Sequence, residues 1–522
     1  SAILAKLAEM VQRGRSHPSV FIWSFCNEVG CNNESAAAAF RAVAKLHDPT
    51  RAVTQNHLGR GTHPLSVASL DVQGFSHKSG NDFDVFHATN PTVPEMASEC
   101  CSCLSQRGVD VDDCPRPRPA GCKGETCGDW CGGTSGASAS DGTFYNNEIG
   151  ACTASQVARS DGRAFVAGTF IWSGFDYLGE SRGYPQTVKC RGVVLDAAGF
   201  RKESAWWVQS LWLSAIPLTD AGRPPLPDAR TVHIVEAWRP AKPVDGSPVP
   251  ANRSIHVYSD APYVQLLLNG KPAGTPADRA APTTPTSALT PGQPTPAGEY
   301  GITAFTVPFS PGNLTAVAMS GSGFSHLASH SLFTPGAVAS LRLSLDAPSA
   351  STGTGLAVVA DGEDVALVRA ELLDGSGNLA TDSNAEIRFS VVSGEGRLWG
   401  THSGNPADTA GPLAPSKAAY HGLLRAVVRS STDRATSDAH RRRLLEIDLD
   451  GGHPDAVRAA PPAAGSRAVG GAPEALPPIV LRAEVKGVGS ATLHIPLTAD
   501  LSQRAVAVAG GPQAAAIQPE AF

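Results

Sequence analysis

Two glutamates stand where buried strands are predicted to end, and carboxyl groups in such places can do acid–base or nucleophilic chemistry. Glu28 closes a run from His17 whose middle, Val20–Phe25, is almost entirely β-branched or aromatic. A run without polar alternation is typical of a strand buried on both faces of a parallel sheet. Catalytic groups of a β/α barrel project from the carboxyl ends of its strands, so Asn27 and Glu28 are predicted to meet a ligand. The alternative is a solvated Glu28 that only opens a loop.

A second carboxylate repeats this arrangement further along the chain. Glu99 ends the short predicted strand Glu95–Glu99, which follows the turn-rich segment Asn90–Pro94. Retaining glycosidases need two carboxyl groups about 5 to 5.5 Å apart, one to protonate the leaving oxygen and one to attack the anomeric carbon. Two strands of one barrel can supply that pair, so Glu28 and Glu99 together indicate glycoside hydrolysis.

The elements around these glutamates alternate between helix and strand. Apolar periodicity predicts helices over 1–15 and 35–46, and strands over 51–55, 69–75 and 164–172, in addition to the two strands that end at the glutamates. The fold class is therefore multidomain, beginning with a partial (β/α)8 TIM barrel over residues 1–215. A closed barrel needs eight strands and about 250 residues, whereas five strands are legible. We therefore expect the chain to be the C-terminal portion of a longer protein, with the missing N-terminal part of that protein as its partner.

The region 17–213 resembles the catalytic domain of glycoside hydrolase family 2, which contains β-galactosidases, β-glucuronidases and β-mannosidases. The stretches HPSVFIWSFCNE, PTVPEMASE, GTFIWSGFDYLGE and GVVLDAAGFRKESAWWVQSLW carry the resemblance, in the family's order. It implies that Glu28 is the general acid/base, that Glu99 is the nucleophile and that Asn27 binds the sugar 2-hydroxyl. Trp172 would line the sugar subsite, and the alternative for this side chain is ordinary core packing.

His77 marks a departure from the family pattern. Related enzymes often carry a tyrosine that hydrogen-bonds the nucleophile at the end of this strand, whereas the chain reads DVQGFSH and ends in His77. A histidine in this place could donate a hydrogen bond to Glu99 and bind substrate beside it. The alternative is a surface or structural histidine.

A cysteine-rich segment, near residues 100–152, interrupts the barrel pattern after Glu99. It holds eight of the 11 cysteines in a stretch rich in Gly, Pro and Asp. Cys100-x-x-Cys103 and Cys127-x3-Cys131 have spacings that a structural zinc could use, but disulfides are the commoner cross-links outside the cell. Disulfides and three Asn-x-Ser/Thr triplets favour an extracellular or secretory location.

Other partners are limited by charge and composition. The net charge is -6, with acidic and basic residues interspersed, which argues against nucleic acid. The sequence contains no membrane span. Glycoside hydrolysis by two carboxylates demands no cofactor, and no metal-ligand cluster is distinctive enough to assign, so neither is predicted.

Downstream of about residue 217, short strands and turns replace the alternation of helix and strand. Two immunoglobulin-like β-sandwiches are predicted, over 226–335 and 336–500. The phrases IHVYSDAPYVQLLLNGKPAGT and ADGEDVALVRAELLDGSGNLAT resemble domains that follow the barrel in family 2 enzymes. Insertions over 276–296 and 430–478 are predicted to be disordered, and residues 501–522 form a tail. These domains either brace the barrel or bind carbohydrate, and they contain no evident stripe of exposed aromatics.

The sequence therefore predicts a retaining glycosidase that cleaves terminal β-linked sugars in carbohydrate metabolism. β-Galactosides are the first choice, because the C-terminal arrangement resembles that of β-galactosidases. β-Glucuronidase and β-mannosidase specificities stay open, as does a fragment that is inactive alone. A non-catalytic carbohydrate-binding or adhesion protein is the alternative from a different class.

Overall fold

A computed structural model of the chain divides it into two compact units. The first comprises Ser1–Ala215 and Thr231–Ser331, and the second comprises Ile216–Arg230 and Leu332–Phe522. The described residues are 2–28, 33–58, 67–76, 80–100, 106–108, 163–179, 187–190, 192–214, 230–240, 251–276, 294–296, 301–321, 323–349, 352, 354–431 and 476–499.

The first unit opens with a five-stranded parallel sheet, whose strands lie in the order of the sequence. Its strands are β1 (Ile22–Glu28), β2 (Ala52–His57), β3 (Gln73–Ser76), β4 (Glu95–Cys100) and β5 (Val166–Ile171). The helices are α1 (Ala2–Gly14), α2 (Glu34–His47) and α3 (Gly80–Thr89). The alternation predicted from the sequence is confirmed, and α3 is an element that the sequence analysis missed.

Apolar contacts hold the helices against one face of this sheet. Leu7 and Val11 of α1 and Ala44 of α2 are buried with Trp23 of β1 and Val53 of β2. Under α3, a second cluster is built around three phenylalanines. Its buried members are Phe75, Phe83, Phe86, Ala97 and Cys100. The apolar side chains that recur along the helices and strands are thus buried on this face of the sheet.

The sheet is strongly curved. Five strands of a flat sheet would place β1 and β5 roughly 19 Å apart, since neighbouring strands are about 4.8 Å apart. The rings of Phe21, which precedes β1, and Phe170 of β5 nevertheless stack with their centroids 6.4 Å apart. The first and last strands therefore turn towards each other.

The strand predicted over 69–75 is wrong in its first half. Val67–Ser69 forms a 3₁₀ turn and the strand begins only at Gln73. The reason is Asp71, whose carboxylate accepts a hydrogen bond from the Val53 amide at 2.9 Å. The same carboxylate forms ion pairs with two basic side chains of α2, those of Arg41 and Lys45. These contacts hold the chain off the β conformation until Gln73.

A short hairpin and a helix follow β5. The hairpin consists of β6 (Tyr177–Leu178) and β7 (Val188–Lys189), and the helix is α4 (Glu203–Ser214). Trp207 and Val208 of this helix are buried with Val235 and Tyr258, which belong to the antiparallel part of the same unit.

Two antiparallel sheets complete the first unit. One has the order β11-β10-β15-β16 with β13 beside β10, and the other has the order β12-β14-β9-β8. The strands are β8 (Val232–Ile234), β9 (Asn252–Ser259), β10 (Tyr263–Leu268), β11 (Lys271–Ala273), β12 (Thr275–Pro276), β13 (Thr295–Pro296), β14 (Ile302–Pro308), β15 (Asn313–Met319) and β16 (His326–Phe333). Asn269 and Gly270 join β10 to β11 with positive φ angles, as the predicted hairpin turn requires.

A stack of aromatic rings links α4 to these sheets. Trp206 of α4 stacks on His233 of β8 at 5.1 Å, and His233 stacks on His330 of β16 at 4.6 Å. Burial lowers the pKa of His330 to about 4 and holds the pKa of His233 well below its usual range. Both histidines are therefore neutral in the folded protein at neutral pH.

The second unit is a sandwich of two antiparallel-rich sheets, β17-β19-β23-β21 and β18-β25-β24-β20-β22. Its core contains 18 buried apolar residues drawn from both sheets, Phe389 and Leu481 among them. The strands are β17 (Val338–Ala347), β18 (Val358–Val359), β19 (Val365–Asp374), β20 (Glu386–Ser393), β21 (Gly396–His402), β22 (Ser416–Ala418), β23 (Leu423–Ser430), β24 (Leu476–Val485) and β25 (Gly489–Thr498).

Some predictions fall on residues that are not described. Most of the cysteine-rich segment, most of the insertion near 430–478 and the tail over 501–522 lie outside the described residues, so the choice between disulfides and zinc stays a prediction. In the described part of the chain, every helix is too short or too polar to cross a membrane.

Candidate active site

Glu28 and Glu99 lie at the same edge of the parallel sheet. Glu28 pairs with His57 of β2, and His57 pairs with Phe75 of β3. The next residue of β3, Ser76, pairs with Glu99 of β4. This chain of pairings places both glutamates at the carboxyl edge, and the curvature of the sheet turns their strands towards each other.

A β-bulge precedes each glutamate. In β1, Ser24 pairs with Thr54 but Asn27 pairs with Asn56, so β1 contains one more residue than β2 over this interval. Bulges change the facing of the next side chain and are common beside active sites. Glu28 also has a positive φ of 57°. A non-glycine residue pays roughly 1 to 3 kcal/mol for such a backbone, which is a reason to examine it as a functional residue.

The bulge in β4 moves Glu99 off the helix-facing side of the sheet. Ala97 and Cys100 both pack in the phenylalanine cluster under α3. In a regular strand, residues 97 and 99 would face one side of the sheet and residue 100 the other. Residues 97 and 100 share a face here because the register shifts between them. Glu99 therefore lies on the opposite, concave face, where it is half-buried.

Asn27 is exposed at the end of β1 and is held by its neighbour on β2. The Asn56 side-chain amide donates a hydrogen bond to Asn27 Oδ1 at 2.9 Å. This bond leaves the Asn27 amide group as a donor towards solvent or ligand. The sequence analysis did not identify Asn56, whose partnership with Asn27 depends on the register between β1 and β2.

Trp172 lies beside Glu99 at the end of the neighbouring strand. Its backbone N–H donates to the Cys100 carbonyl at 3.0 Å, and its indole is 41% exposed. The indole Nε1–H donates to the Tyr177 hydroxyl at 3.2 Å, with the two rings edge to face. Trp172 is therefore not enclosed by the described residues, and its role in a sugar subsite stays a prediction. The Trp172–Ser173 peptide bond is cis.

The remaining predicted site residue, His77, lies outside the described residues. The structure thus brings Glu99 and Trp172 together on adjacent strands and places Asn27 and Glu28 at the same edge. Among the described residues, no three His, Cys, Asp or Glu side chains are gathered as metal ligands.

Two buried ion pairs support the segment after β5. Lys202 Nζ lies 2.8 Å from Asp176 Oδ1, and Arg107 Nε lies 2.8 Å from Asp196 Oδ2. Burial raises the pKa of Asp176 to about 6, although the Lys202 ammonium opposes this effect. The sequence analysis missed all four residues, since nothing in their local pattern distinguishes them from solvated charges.

Three family models match parts of the chain. Residues 1–90 match the glycosyl hydrolases family 2 TIM barrel domain, and residues 354–438 match the glycoside hydrolase family 2 C-terminal domain 5. Residues 251–323 match a domain of unknown function, DUF4982.

Two relatives extend the similarity over most of the chain. Beta-galactosidase BoGH2A of Bacteroides ovatus is 25% identical over 504 residues, which cover 85% of this chain and 51% of the relative. A putative beta-glucuronidase of Formosa agariphila is 24% identical over 452 residues, which cover 82% of this chain and 37% of the relative. The chain thus spans about half the length of these relatives or less.

Solved structures share the fold. A beta-glycosidase from Bacteroides vulgatus matches with a TM-score of 0.63 and 20% identity, covering 94% of this chain and 52% of the other. A glycosyl hydrolase family 2 member from Bacteroides cellulosilyticus matches with a TM-score of 0.59 and 21% identity, covering 94% and 50%. A family 2 beta-glucuronidase has a TM-score of 0.60 and 18% identity, covering 95% and 40%.

Proposed function

We propose that this chain, which belongs to glycoside hydrolase family 2, carries the catalytic carboxylates of a retaining glycosidase that removes terminal β-linked sugars. The observation that carries the proposal is the pair of bulged strands, β1 and β4, each of which carries a glutamate at the same carboxyl edge of one parallel sheet. The five strands are then the last five of a (β/α)8 barrel, followed by two immunoglobulin-like sandwiches.

The reaction proceeds in two displacement steps. Glu99 attacks the anomeric carbon and forms a glycosyl ester, while the bond to the leaving oxygen breaks and Glu28 gives that oxygen its proton. Glu28 then takes a proton from water, the resulting hydroxide attacks the anomeric carbon, and the Glu99 carboxylate is released. Two inversions give net retention of configuration.

The other site residues bind the sugar. Asn27, with its carbonyl oxygen engaged by Asn56, presents its amide N–H groups to the sugar 2-hydroxyl. Trp172 offers half of its indole surface beside Glu99, which suits the apolar face of a pyranose ring. His77 is proposed as a hydrogen-bond donor to Glu99.

The choice of sugar rests on the C-terminal domains. The relatives include both a named β-galactosidase and a putative β-glucuronidase. The arrangement of the C-terminal domains resembles that of β-galactosidases. We therefore propose β-galactosides as the substrates, and an extracellular or secretory location that accords with the cysteine-rich segment.

The decisive experiment is covalent trapping with 2,4-dinitrophenyl 2-deoxy-2-fluoro-β-galactoside, followed by intact-mass measurement and peptide mapping. The expected result is one added fluorogalactosyl group on Glu99. Glu99→Gln should not be labelled, whereas the matched surface variant Glu484→Gln should be labelled like the parent. Because the chain spans only about half of its relatives, the longest natural form of the protein is tested in parallel.

Each other outcome changes the assignment. Labelling of a different carboxylate would overturn Glu99 as nucleophile. Labelling only by the corresponding fluoroglucuronide or fluoromannoside would replace the sugar but keep the mechanism. No label from any of the three, in either form of the protein, would favour sugar binding without catalysis.

A further inference from the structure

Among the described residues, the Trp172 side chain donates one hydrogen bond, to the Tyr177 hydroxyl of the two-residue strand β6. Trp172 itself is 41% exposed. A two-stranded hairpin with strands this short is not stable in isolation. The position of the indole must therefore be set by whatever fixes the segment 173–178.

Backbone hydrogen bonds lay this segment along the chain that enters α4. The Val193 amide donates to the Ser173 carbonyl at 2.7 Å, and the amides of residues 194 and 195 donate to the Gly174 carbonyl at 3.0 Å. The Asp176 amide donates in turn to the Leu195 carbonyl at 2.9 Å. The two segments thus run side by side without being part of any named sheet.

A closed set of side-chain contacts secures this pairing. Asp176 Oδ1 accepts from Lys202 Nζ and from the Gly192 amide, both at 2.8 Å. Lys202 Nζ also donates to the Gly192 carbonyl at 2.7 Å. Lys202 is 0% exposed, so water does not compete for these bonds. Lys202 immediately precedes α4, which is packed into the unit, and it therefore connects the segment to a rigid element.

Gly192 leaves no space for a larger residue inside this set. A Cβ atom there would lie 2.2 Å from the Asp176 amide nitrogen and 2.6 Å from the Leu195 carbonyl oxygen. Any side chain would push the two segments apart. The close approach is thus a built feature of the contact between Asp176 and Lys202.

We infer that Asp176, Lys202 and Tyr177 act as positioning residues that set the Trp172 indole at the sugar-binding edge of the sheet. The ion pair fixes the segment, and the Tyr177 hydroxyl fixes the rotation of the indole. The inference rests on the proposed function for the claim that Trp172 contacts sugar, but the placement of the indole is testable without activity.

The experiment uses the whole chain with 15N-indole-labelled tryptophan. The chain has eight tryptophans, and Trp172→Phe identifies the Trp172 signal. Tyr177→Phe and Asp176→Asn should each move or broaden this signal while the other indole signals stay. Asp346→Asn, which disrupts the ion pairs of a carboxylate with Arg369 and Arg425 in the second unit, is the matched control and should leave the Trp172 signal in place.

Steady-state kinetics provide a second measurement. With 2-nitrophenyl β-galactoside, both variants should raise KM about fivefold to tenfold, the size of one weakened aromatic contact, with a smaller change in kcat. If Asp176→Asn fails to fold, Tyr177→Phe, which removes only the hydroxyl of a half-buried side chain, still decides the result. An unmoved Trp172 signal in the folded variants would overturn the inference. A moved signal without any turnover by the parent would support the positioning and count against the proposed function alone.

Discussion

The parallel sheet of the first unit and the sandwich of the second unit differ in how their buried polar side chains are partnered. Strands β2, β3 and β4 enclose polar residues with little or no exposure, among them Thr54, Gln73 and Glu95. The sandwich also buries charged side chains, but these are ion-paired: Glu371 with Arg342, Arg369 with Asp346 and Lys417 with Asp408. Burying a polar group costs free energy unless its hydrogen bonds are restored, so the sandwich has the arrangement that favours stability. Gln73 and Glu95 begin β3 and β4, so they lie at the opposite end of these strands from the edge that bears the two glutamates.

Glu95 is the buried carboxyl group at the start of β4. Neither carboxylate oxygen has a hydrogen-bond partner among the described residues, and His87 Nδ1 lies 3.6 Å from Glu95 Oε1. Burial raises the pKa of Glu95 to about 8, and the charge of Asp84 adds to the effect. The sheet therefore keeps a destabilising buried carboxyl group four residues before Glu99, so its sequence does not maximise stability.

The largest expected effect is on activity. Glu99→Gln keeps the shape of the side chain but removes the nucleophile, so we expect hydrolysis of an aryl β-galactoside to fall by at least about 10³-fold. Because Glu99 is half-buried, the thermal midpoint should change little. Near-normal turnover by Glu99→Gln, measured beside the control Glu484→Gln, would show that Glu99 is not the nucleophile.

The next largest effect is on stability and belongs to the sandwich. Phe389 is 2% exposed in the core of the second unit. We expect Phe389→Ala to lower the free energy of unfolding by about 3–5 kcal/mol, because it leaves a cavity in close-packed apolar surroundings. Urea unfolding measures the change, and the exposed Val392 provides the matched variant Val392→Ala. If Phe389→Ala lowers the free energy of unfolding by less than about 1 kcal/mol, this core is not tightly packed around Phe389.

Glu95→Gln should change how stability depends on pH. The folded state keeps the Glu95 proton up to about pH 8, whereas the unfolded carboxyl loses its proton near pH 4.5. The stability that this group contributes is therefore complete below about pH 4.5 and is lost as the pH rises towards 8, by up to about 1.4 kcal/mol per pH unit.

Unfolding free energies at pH 5, 6.5 and 8 test this sign. Glu95→Gln cannot ionise, so its stability relative to the parent should improve from pH 5 to pH 8, by about 2–3 kcal/mol. The exposed Glu484→Gln should show no such trend. A parent protein whose stability rises over this range, with no difference from Glu95→Gln, would show that Glu95 is ionised in the fold.

The smallest effect is expected at the surface of the sandwich. Trp399 is 42% exposed, and the guanidinium groups of Arg397 and Arg429 lie 4.6 and 4.5 Å from its ring. Exposed cation–π contacts are worth about 0.5–1 kcal/mol each, so Trp399→Ala should cost about 1–2 kcal/mol. It should leave hydrolysis unchanged. A marked loss of activity on polymeric substrate alone would instead assign this face to carbohydrate binding.

Much of this comparison could be predicted from the sequence, where local patterns suffice. The continuous apolar run before Glu28 and the turn-rich lead to Glu95–Glu99 locate β1 and β4 because parallel strands have a distinct composition. The predicted burial of β1 on both faces is wrong for the described residues, since only Trp23 of this strand is buried. Helix α3 was missed because its ten residues contain only a short, weakly periodic apolar pattern. The strand predicted from Ser69 was displaced by the contacts of Asp71, which come from another helix and another strand.

The missed site features all depend on contacts between elements. The bulges before the two glutamates appear only when the register with the neighbouring strand is known. Asn56, Asp176 and Lys202 look like ordinary polar residues in the sequence, and only the fold pairs them with Asn27, with each other or with a buried backbone. Such features are set by tertiary structure rather than by local propensity.

The stacked histidines at α4 make the stability of the first unit depend on pH. His233 and His330 are neutral in the fold, and an unfolded histidine gains its proton near pH 6.5. Their contribution is therefore complete above about pH 6.5 and is lost as the pH falls towards 4. The contribution of Glu95 to stability is lost in the opposite direction, as the pH rises towards 8. Within the first unit, the two histidines therefore favour the folded state at higher pH, and Glu95 favours it at lower pH.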